Sequence, residues 1–322
     1  MNAKPRILMT GATGFVGAHL AERFKAQFGA AVDLILTSKE AEICQLGAVQ
    51  ALDVADDRAV AEAVASLQPT HLVHLAAISA PADAGANPRL AWEINTLGTR
   101  AVAEAIVRHA PDCRLVLAST GLIYGAAANL EKPFTEEALL APESEYAVTK
   151  AAADLLVGAM ARGGLKSVRL RLFNHTGPGQ SELFVVPSIA AQIARIEAGV
   201  QEPKVKVGRV DAVRDFLDVR DVAAAYVAAI ERSAELPASP IINIASGRGY
   251  SIGYVLAELI DLSSAEIEVV VTNSTAAEGS APDNLIGDPT VATQLLSWKP
   301  RCQLRETLEG VLNYWRGKIS PE

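Results

Sequence analysis

Basic residues are in the minority in this 322-residue chain: 29 Lys and Arg stand against 37 Asp and Glu, a net charge of −8. A surface of that sign repels polyanions, which excludes a nucleic-acid partner while leaving room for a local basic pocket around a small anion. Cysteine is scarce. Cys44, Cys113 and Cys302 are far apart and odd in number, a pattern of neither a disulfide framework nor a zinc cluster, so they read as thiols in a reducing compartment and no metal site is expected. Long apolar runs are missing too. Gly, Asp or Ser breaks each one well short of the roughly 18 residues that a membrane span needs. Between the polar start and the first glycine loop lie only Ile7-Leu8-Met9, too little for a secretory h-region, so the expected location is the cytoplasm and no membrane partner is expected.

Half of the chain is hydrophobic and 20% is charged, a globular composition long enough to bury a large core. Apolar strands alternate with helices from the start. Strands are expected at Arg6-Met9, Val32-Leu36, His71-Leu75, Arg114-Leu117 and Ser167-Leu172. Helices are expected at Phe15-Phe28, Asp57-Leu67, Leu90-His109 and Glu145-Ala161. Continuous apolar strands separated by helices predict an α/β chain, a Rossmann-type doubly wound parallel sheet covered on both faces. After residue 173 the rhythm changes at the turn-rich Asn174-Gln180 segment. Val185-Gly199 and Asp221-Arg232 read as helices, Val205-Val207 as a strand, and Ile241-Ile244 as a strand returning to the main sheet. The expected division is therefore 1-176 plus about 211-248 for the nucleotide-binding domain. About 177-210 plus 249-322 would form a smaller, discontinuous substrate domain.

Gly11-Ala12-Thr13-Gly14-Phe15-Val16-Gly17 follows a strand and opens a helix. Gly11 can take the turn, Gly14 lets backbone approach a pyrophosphate, and Gly17 permits close helix packing, while the helix N-terminus supplies donors to an anion. An acid closing the second strand would hold a ribose 2′-hydroxyl. Here Leu36 is followed by Thr37-Ser38-Lys39, whose hydroxyls and ammonium suit a 2′-phosphate, so NADPH is favoured over NADH. Asp53-Val54 reads either as a contact to the adenine edge or as a helix N-cap.

Tyr146 and Lys150 are i and i+4 on a helix, so both emerge from one face. An ammonium beside a phenol favours the phenolate and brings its pKa toward neutrality. Ser119-Thr120 ends a parallel strand, where ligands of such sheets bind, and a hydroxyl there can hydrogen-bond a substrate carbonyl.

With these residues in hand, the chain resembles the extended short-chain dehydrogenases/reductases, the NAD-dependent epimerase/dehydratase family that acts largely on nucleotide-sugars. The motifs run over nearly its whole length: the glycine loop, His74-Leu75-Ala76-Ala77, Asn95-Thr96-Leu97-Gly98-Thr99, Ser119-Thr120-Gly121-Leu122-Ile123-Tyr124-Gly125, Tyr146 with Lys150, and Arg214-Asp215-Phe216-Leu217-Asp218-Val219. The resemblance implies Thr120, Tyr146 and Lys150 as the catalytic set. It implies cofactor contacts at Thr13, Phe15, Val16, Leu75, Ala76, Ala77 and Asn95 besides the glycines, Tyr146 and Lys150. It also implies substrate contacts at Thr120, Asn174 and Arg214, with Arg214 on a diphosphate or in a surface pair with Asp211 or Asp218. His175 is expected to satisfy backbone groups or line the pocket.

The dehydratases of this group carry acids just after the catalytic Thr, where this chain has Gly121 and Leu122. Leu172-Gln180, Gln192-Ile193-Ala194-Arg195 and Asp215-Val222 are similar to segments of the GDP-4-keto-6-deoxy-mannose reductases, which adds Arg195 to the substrate set. The implied activity is reduction of the C4 keto group of a GDP-linked 4-keto-6-deoxy-hexose to a GDP-rhamnose-type sugar. The alternatives are a nucleotide-sugar 4-epimerase with tightly bound NAD and a non-catalytic NADP-binding regulator. Many relatives carry a second diphosphate Arg where this chain reads Ser280-Ala281-Pro282-Asp283-Asn284; Lys204, Lys206, Arg209 and Arg248 are candidate replacements. The Ala-rich helices Leu90-His109 and Glu145-Ala161 imply a homodimer.

Overall fold

Alternating apolar segments build the main sheet of the computed structural model, which describes residues 4–127, 132–272 and 283–319. Strand β1 (Arg6–Thr10) passes through the glycine loop into α1 (Phe15–Phe28). Strand β2 (Asp33–Ser38) is followed by a hairpin of β3 (Glu42–Cys44) and β4 (Gly47–Ala51), then by α2 (Asp57–Leu67). From β5 (His71–His74) the chain runs through short helices α3 (Pro81–Ala86) and α4 (Pro88–Ala91) and a π-helical segment, Trp92–Gly98, into α5 (Thr99–His109). Next come β6 (Arg114–Thr120), α6 (Glu145–Ala161), β7 (Lys166–Leu172) and β8 (Asn174–Thr176). The remainder is α7 (Val185–Glu197), β9 (Lys204–Val207), β10 (Val213–Arg214), β11 (Phe216–Asp218) and α8 (Val219–Glu231). It continues with β12 (Ile241–Ile244), β13 (Tyr250–Ser251), α9 (Ile252–Asp261), β14 (Glu268–Val271), β15 (Asn284–Leu285), α10 (Thr290–Leu296) and α11 (Leu304–Ile319).

The sheet order is β12-β7-β6-β5-β1-β2-β4-β3, parallel throughout except for the antiparallel edge strand β3. It is the doubly wound sheet of the Rossmann type. Successive residues of each strand serve opposite faces. Ile7 and Met9 pack with α1, α8 and α10, whereas Leu8 packs with α2, α5 and α6. The chain leaves β1 toward β2 and returns to its other side at β5, so the order reverses at β1. A crevice at the carboxyl ends of β1 and β5 is where ligands of open parallel sheets bind.

A second core joins α7, β9, α9 and α11 around Val186, Ile193, Val205, Leu259 and Leu312. The sequence grouped all of 249-322 with that unit, yet Ala292, Leu296 and Trp298 pack into the core beneath the main sheet. The Trp298 indole donates to Asp221 O at 2.9 Å, inside α8, which explains why the last elements divide between two cores. Short pairings at β8–β11 and β10–β13 place Asn174 opposite Phe216 and Arg214 opposite Tyr250.

Candidate active site

The glycine loop is shaped by two close approaches. Gly11 has a φ of +69°, and a Cβ there would lie 2.7 Å from the amide nitrogen of Ala76, so the loop abuts the segment after β5. A Cβ on Gly17 would lie 2.3 Å from Gly11 O, so the first turn of α1 leans directly on the loop. These contacts bring Leu75 and Ala76 beside Gly11. Helix α1 begins at Gly14 with no side-chain cap and no acidic residue in its first turn. The amides of Phe15, Val16 and Gly17 thus present uncapped donors at a positive helix end, where a phosphate fits.

At the neighbouring strand end the predicted residues divide. The Ser38 hydroxyl donates to Glu40 O. Lys39 is 70% exposed and forms an ion pair with Asp53 at 3.7 Å. Asp53 is not the N-cap of α2: Asp56 is, accepting from the amides of Arg58 and Ala59 at 3.0 Å. Asp53 instead accepts from Ala55 N at 3.0 Å. Val54 is buried against Gly98. Asn95, expected at the cofactor, is placed differently: both of its amide hydrogens are spent, on Ile78 O at 3.2 Å and Thr149 Oγ1 at 3.1 Å, while its Oδ1 accepts from Ile78 N at 2.8 Å. It fastens the loop after β5 to α6. Thr10 and Thr99 likewise clamp the buried His74, at 2.8 and 3.2 Å, and burial with the nearby Lys150 charge pushes that imidazole down to about 3.

Thr120 ends β6 and Tyr146 and Lys150 open α6, whose N-cap Ser144 accepts from Ala147 N at 3.3 Å. The structure brings all three predicted catalytic residues together at the carboxyl edge of the sheet. Burial pushes the Tyr146 phenol up to about 12, against which the Thr120 hydroxyl works. The depression expected from Lys150 is not found: burial raises the phenol and only the Thr120 hydroxyl opposes it. The Lys150 ammonium is itself pushed down to about 8 by burial, opposed by the carboxylate of Asp154. Among the described residues nothing accepts a hydrogen bond from that ammonium, so its donors remain for a ligand.

Sequence reading missed the network that holds Lys150. Asp154, one turn beyond it, has no solvent exposure and accepts from Ser119 Oγ at 2.7 Å, Arg171 Nη2 at 3.0 Å and Arg169 Nη1 at 3.1 Å. Burial alone would raise its carboxyl; the Arg171 guanidinium, aided by Ser119 and Arg169, more than reverses that and holds it below the usual carboxylate range. Arg171 also donates to the Tyr124 hydroxyl at 2.9 Å, which donates to Asn243 Oδ1 at 2.7 Å. The signal was available: a carboxylate four residues after Lys150 and two arginines at alternate positions of a strand buried on both faces.

On the substrate side, a Cβ at Gly121 would lie 3.1 Å from the ring of Phe173, so no acidic side chain enters there without displacing that ring. His175 stacks on Phe15 with centroids 6.2 Å apart, and its Nδ1 bonds Phe173 O at 2.9 Å. Asn174 is half-buried. Arg195 forms an ion pair with Glu182 at 2.8 Å. Arg214 pairs with neither Asp211 nor Asp218; its Nη1 donates to the carbonyls of Val213 at 2.7 Å and Asp283 at 3.2 Å. Burial and then the charge of Arg209 press against the Arg214 cation, an environment that an anion relieves. Ser280, Ala281 and Pro282 lie outside the described residues. Of the candidate replacements, Arg209 is held by Asp211 and Asp283 and Lys204 by Glu202 and Glu268. Arg248 is exposed and forms no ion pair among the described residues.

Comparison with known proteins addresses the family and the fold. The GDP-6-deoxy-D-mannose reductase of Pseudomonas aeruginosa is 29% identical over 318 residues, spanning 98% of this chain and 99% of that relative. The solved structure of RMD from Pseudomonas aeruginosa complexed with NADPH superposes with a TM-score of 0.84 at 28% identity, covering 98% of this chain and 100% of the other. That of the Thermus thermophilus UDP-glucose 4-epimerase in complex with NAD gives 0.82 at 26% identity, with coverage of 97% and 99%. The model of the NAD dependent epimerase/dehydratase family matches residues 7–245. The chain belongs to that family, whose members are NAD(P)-dependent enzymes of nucleotide-sugars.

Proposed function

We propose that this protein reduces the C4 keto group of a GDP-4-keto-6-deoxy-hexose, with NADPH as the preferred reductant, to a GDP-6-deoxy-hexose of the GDP-D-rhamnose type. The observation that carries the reading is the joint placement of Thr120, Tyr146 and Lys150, while the two following positions, Gly121 and Leu122, hold no acid. Elimination of water requires one proton to be removed and another delivered, and neither Gly121 nor Leu122 can carry one; a side chain at 121 would also press on the Phe173 ring. The single proton that reduction requires is supplied by Tyr146 alone. The full-length similarity to a GDP-6-deoxy-D-mannose reductase supports the GDP-linked substrate.

When bound, a dinucleotide would supply the hydride for the ketone carbon. The residues present fit it: the amides at the start of α1 take the diphosphate, and the Lys150 ammonium is free to hold ribose hydroxyls. Lys39, exposed and among the described residues paired with no carboxylate besides Asp53, suits a 2′-phosphate. The Thr120 hydroxyl donates to the substrate carbonyl oxygen and Tyr146 delivers the proton to that oxygen. Lys150, kept cationic by Asp154, stabilises the phenolate that remains. Asn174, Arg195 and Arg214 face the nucleotide-sugar, with Arg214 on the diphosphate. Exposed Trp92, Leu97, Val107 and Leu155 lie along the helices expected to associate, so the proposed assembly is a homodimer, in the cytoplasm.

Mixing the purified protein with NADPH and GDP-4-keto-6-deoxy-mannose tests the reading: NADPH absorbance falls in a 1:1 ratio with ketone consumed. A 4-epimerase is the second reading, favoured by the likeness to the Thermus enzyme bound to NAD. It predicts NAD retained through purification and no net cofactor consumption.

A further inference from the structure

Asp215 directly follows Arg214 and has no solvent exposure, yet among the described residues no basic side chain pairs with it. Four donors meet its carboxylate instead. Ser246 gives its amide at 2.8 Å and its hydroxyl at 2.6 Å to Oδ1, and Gly247 and Gly287 give their amides to Oδ2 at 2.9 and 3.3 Å. A buried charge without a counter-ion is costly, and only a full set of polar donors makes it tolerable. An apolar side chain would pack here without that cost, so the carboxylate is present for the bonds it makes.

Those donors come from both sides of Arg214. Strand β10 is the middle one of three, antiparallel to β13 and parallel to β15. Ser246 and Gly247 lie in the turn that leads from β12 into β13, and Gly287 is two residues past β15. The Asp215 carboxylate therefore ties together the two strands that flank Arg214. One of these leads carries the anchor of the guanidinium: Arg214 Nη1 donates to Asp283 O, just before β15, at 3.2 Å. The amides of Val213 and Asp215 hold the same segment, bonding Asp283 O at 2.8 Å and Leu285 O at 3.0 Å. The glycine loop follows β1, four places from β12 in the main sheet, so the tie lies away from it.

We propose that Asp215 is a positioning residue for the nucleotide-sugar: its carboxylate clamps β13 and β15 around β10 and so fixes the Arg214 guanidinium where it receives the substrate diphosphate. The inference rests on the reading of Arg214 as the diphosphate residue. Asp215 acts through Arg214 and touches neither substrate nor cofactor.

The variant Asp215→Asn tests it in the full chain. An amide offers one acceptor oxygen and turns its NH2 toward two of the donors, which are left unpaired. Calorimetry with GDP and with NADPH compares the two ligands, and rates with GDP-4-keto-6-deoxy-mannose separate KM from kcat. We expect D215N to bind GDP about tenfold more weakly and to raise the substrate KM about tenfold, while NADPH affinity and kcat stay within about threefold. Ser246→Ala removes one donor and keeps the carboxylate, so it should weaken GDP about threefold; it carries the test if D215N does not fold. GDP affinity unchanged in a folded D215N, or in S246A where D215N does not fold, overturns the inference. Equal weakening of GDP and NADPH overturns it as well, because that marks a general loosening. UDP replaces GDP in the same comparison if the unaltered protein binds only UDP. Arg214→Gln tests the underlying reading separately: if R214Q binds GDP as the unaltered protein does, Arg214 does not hold the diphosphate, which is a distinct result.

Discussion

Replacing Asp154 by Asn removes a negative charge from a fully buried position that Ser119, Arg169 and Arg171 share. Taking one partner from a buried ion pair costs roughly 3–5 kcal/mol, because the remaining charge is left uncompensated. Asn keeps one acceptor oxygen, so the lower end applies, about 3 kcal/mol. At roughly 2–4 °C per kcal/mol for a chain of this size, the melting temperature falls by about 6–12 °C. A second effect is specific to the site. Asp154 is the charge that opposes desolvation at Lys150, whose ammonium stands at about 8. Without it the Lys150 pKa falls further, and activity that needs the cation is lost at lower pH. The assay is kcat/KM between pH 6 and 10 for the unaltered enzyme, D154N and Ser119→Ala. D154N should move the high-pH limb toward acid. S119A removes one hydrogen bond but keeps the charge, so its limb should stay in place. A D154N enzyme that melts normally, or whose high-pH limb does not move, would refute the assigned coupling.

Tyr146→Phe should lower turnover by about 10²–10⁴-fold while NADPH binds within about twofold of normal, as calorimetry would show; surviving turnover contradicts Tyr146 as proton donor. Lys150 gives a stability prediction with a definite sign. Its folded pKa, about 8, lies below the ordinary value of 10.5. Between those limits the unfolded chain binds more protons, so stability rises with pH across that window, and below pH 8 the buried charge costs about 3 kcal/mol. Lys150→Met should therefore melt higher than the unaltered protein at pH 7 without ligand, lose that advantage above pH 10.5, and turn over nothing. A lower melting temperature at pH 7 contradicts this. Lys39→Ala should raise the KM for NADPH about tenfold and barely change that for NADH; equal effects on both would show that Lys39 does not meet a 2′-phosphate.

The frame of the fold was legible because its strands are apolar on both faces and its helices repeat at 3.6 residues. Phe15–Phe28, Asp57–Leu67, Glu145–Ala161 and Ile241–Ile244 have the bounds read from the sequence. The β3–β4 hairpin was not legible: Ile43 points outward at 91% exposure, so its pattern carries no buried face. Leu90-His109 reads as one helix, yet Trp92–Gly98 is π-helical. There Asn95 bonds the loop after β5 and Gly98 lies against Val54, contacts made at long range and invisible to local periodicity. The grouping of Tyr146 and Lys150, the proposed catalytic pair, was legible from spacing because they share a helix face. The direction of the Tyr146 shift was not, since it depends on how deeply the tertiary structure buries the phenol. Asp154 with Arg171 was hidden for a similar reason: arginines in a strand read as solvent-facing until a carboxylate from another element is known to meet them.

The most direct test of the proposed reduction follows the transferred atom. NADPH deuterated at nicotinamide C4 is incubated with the protein and GDP-4-keto-6-deoxy-mannose, and the sugar is examined by NMR. We expect one deuterium at sugar C4 for each NADPH oxidised, with a single configuration at that carbon. Sugar without deuterium, or interconversion of nucleotide-sugars with no NADPH oxidised, would contradict the reductase and leave the epimerase reading in its place.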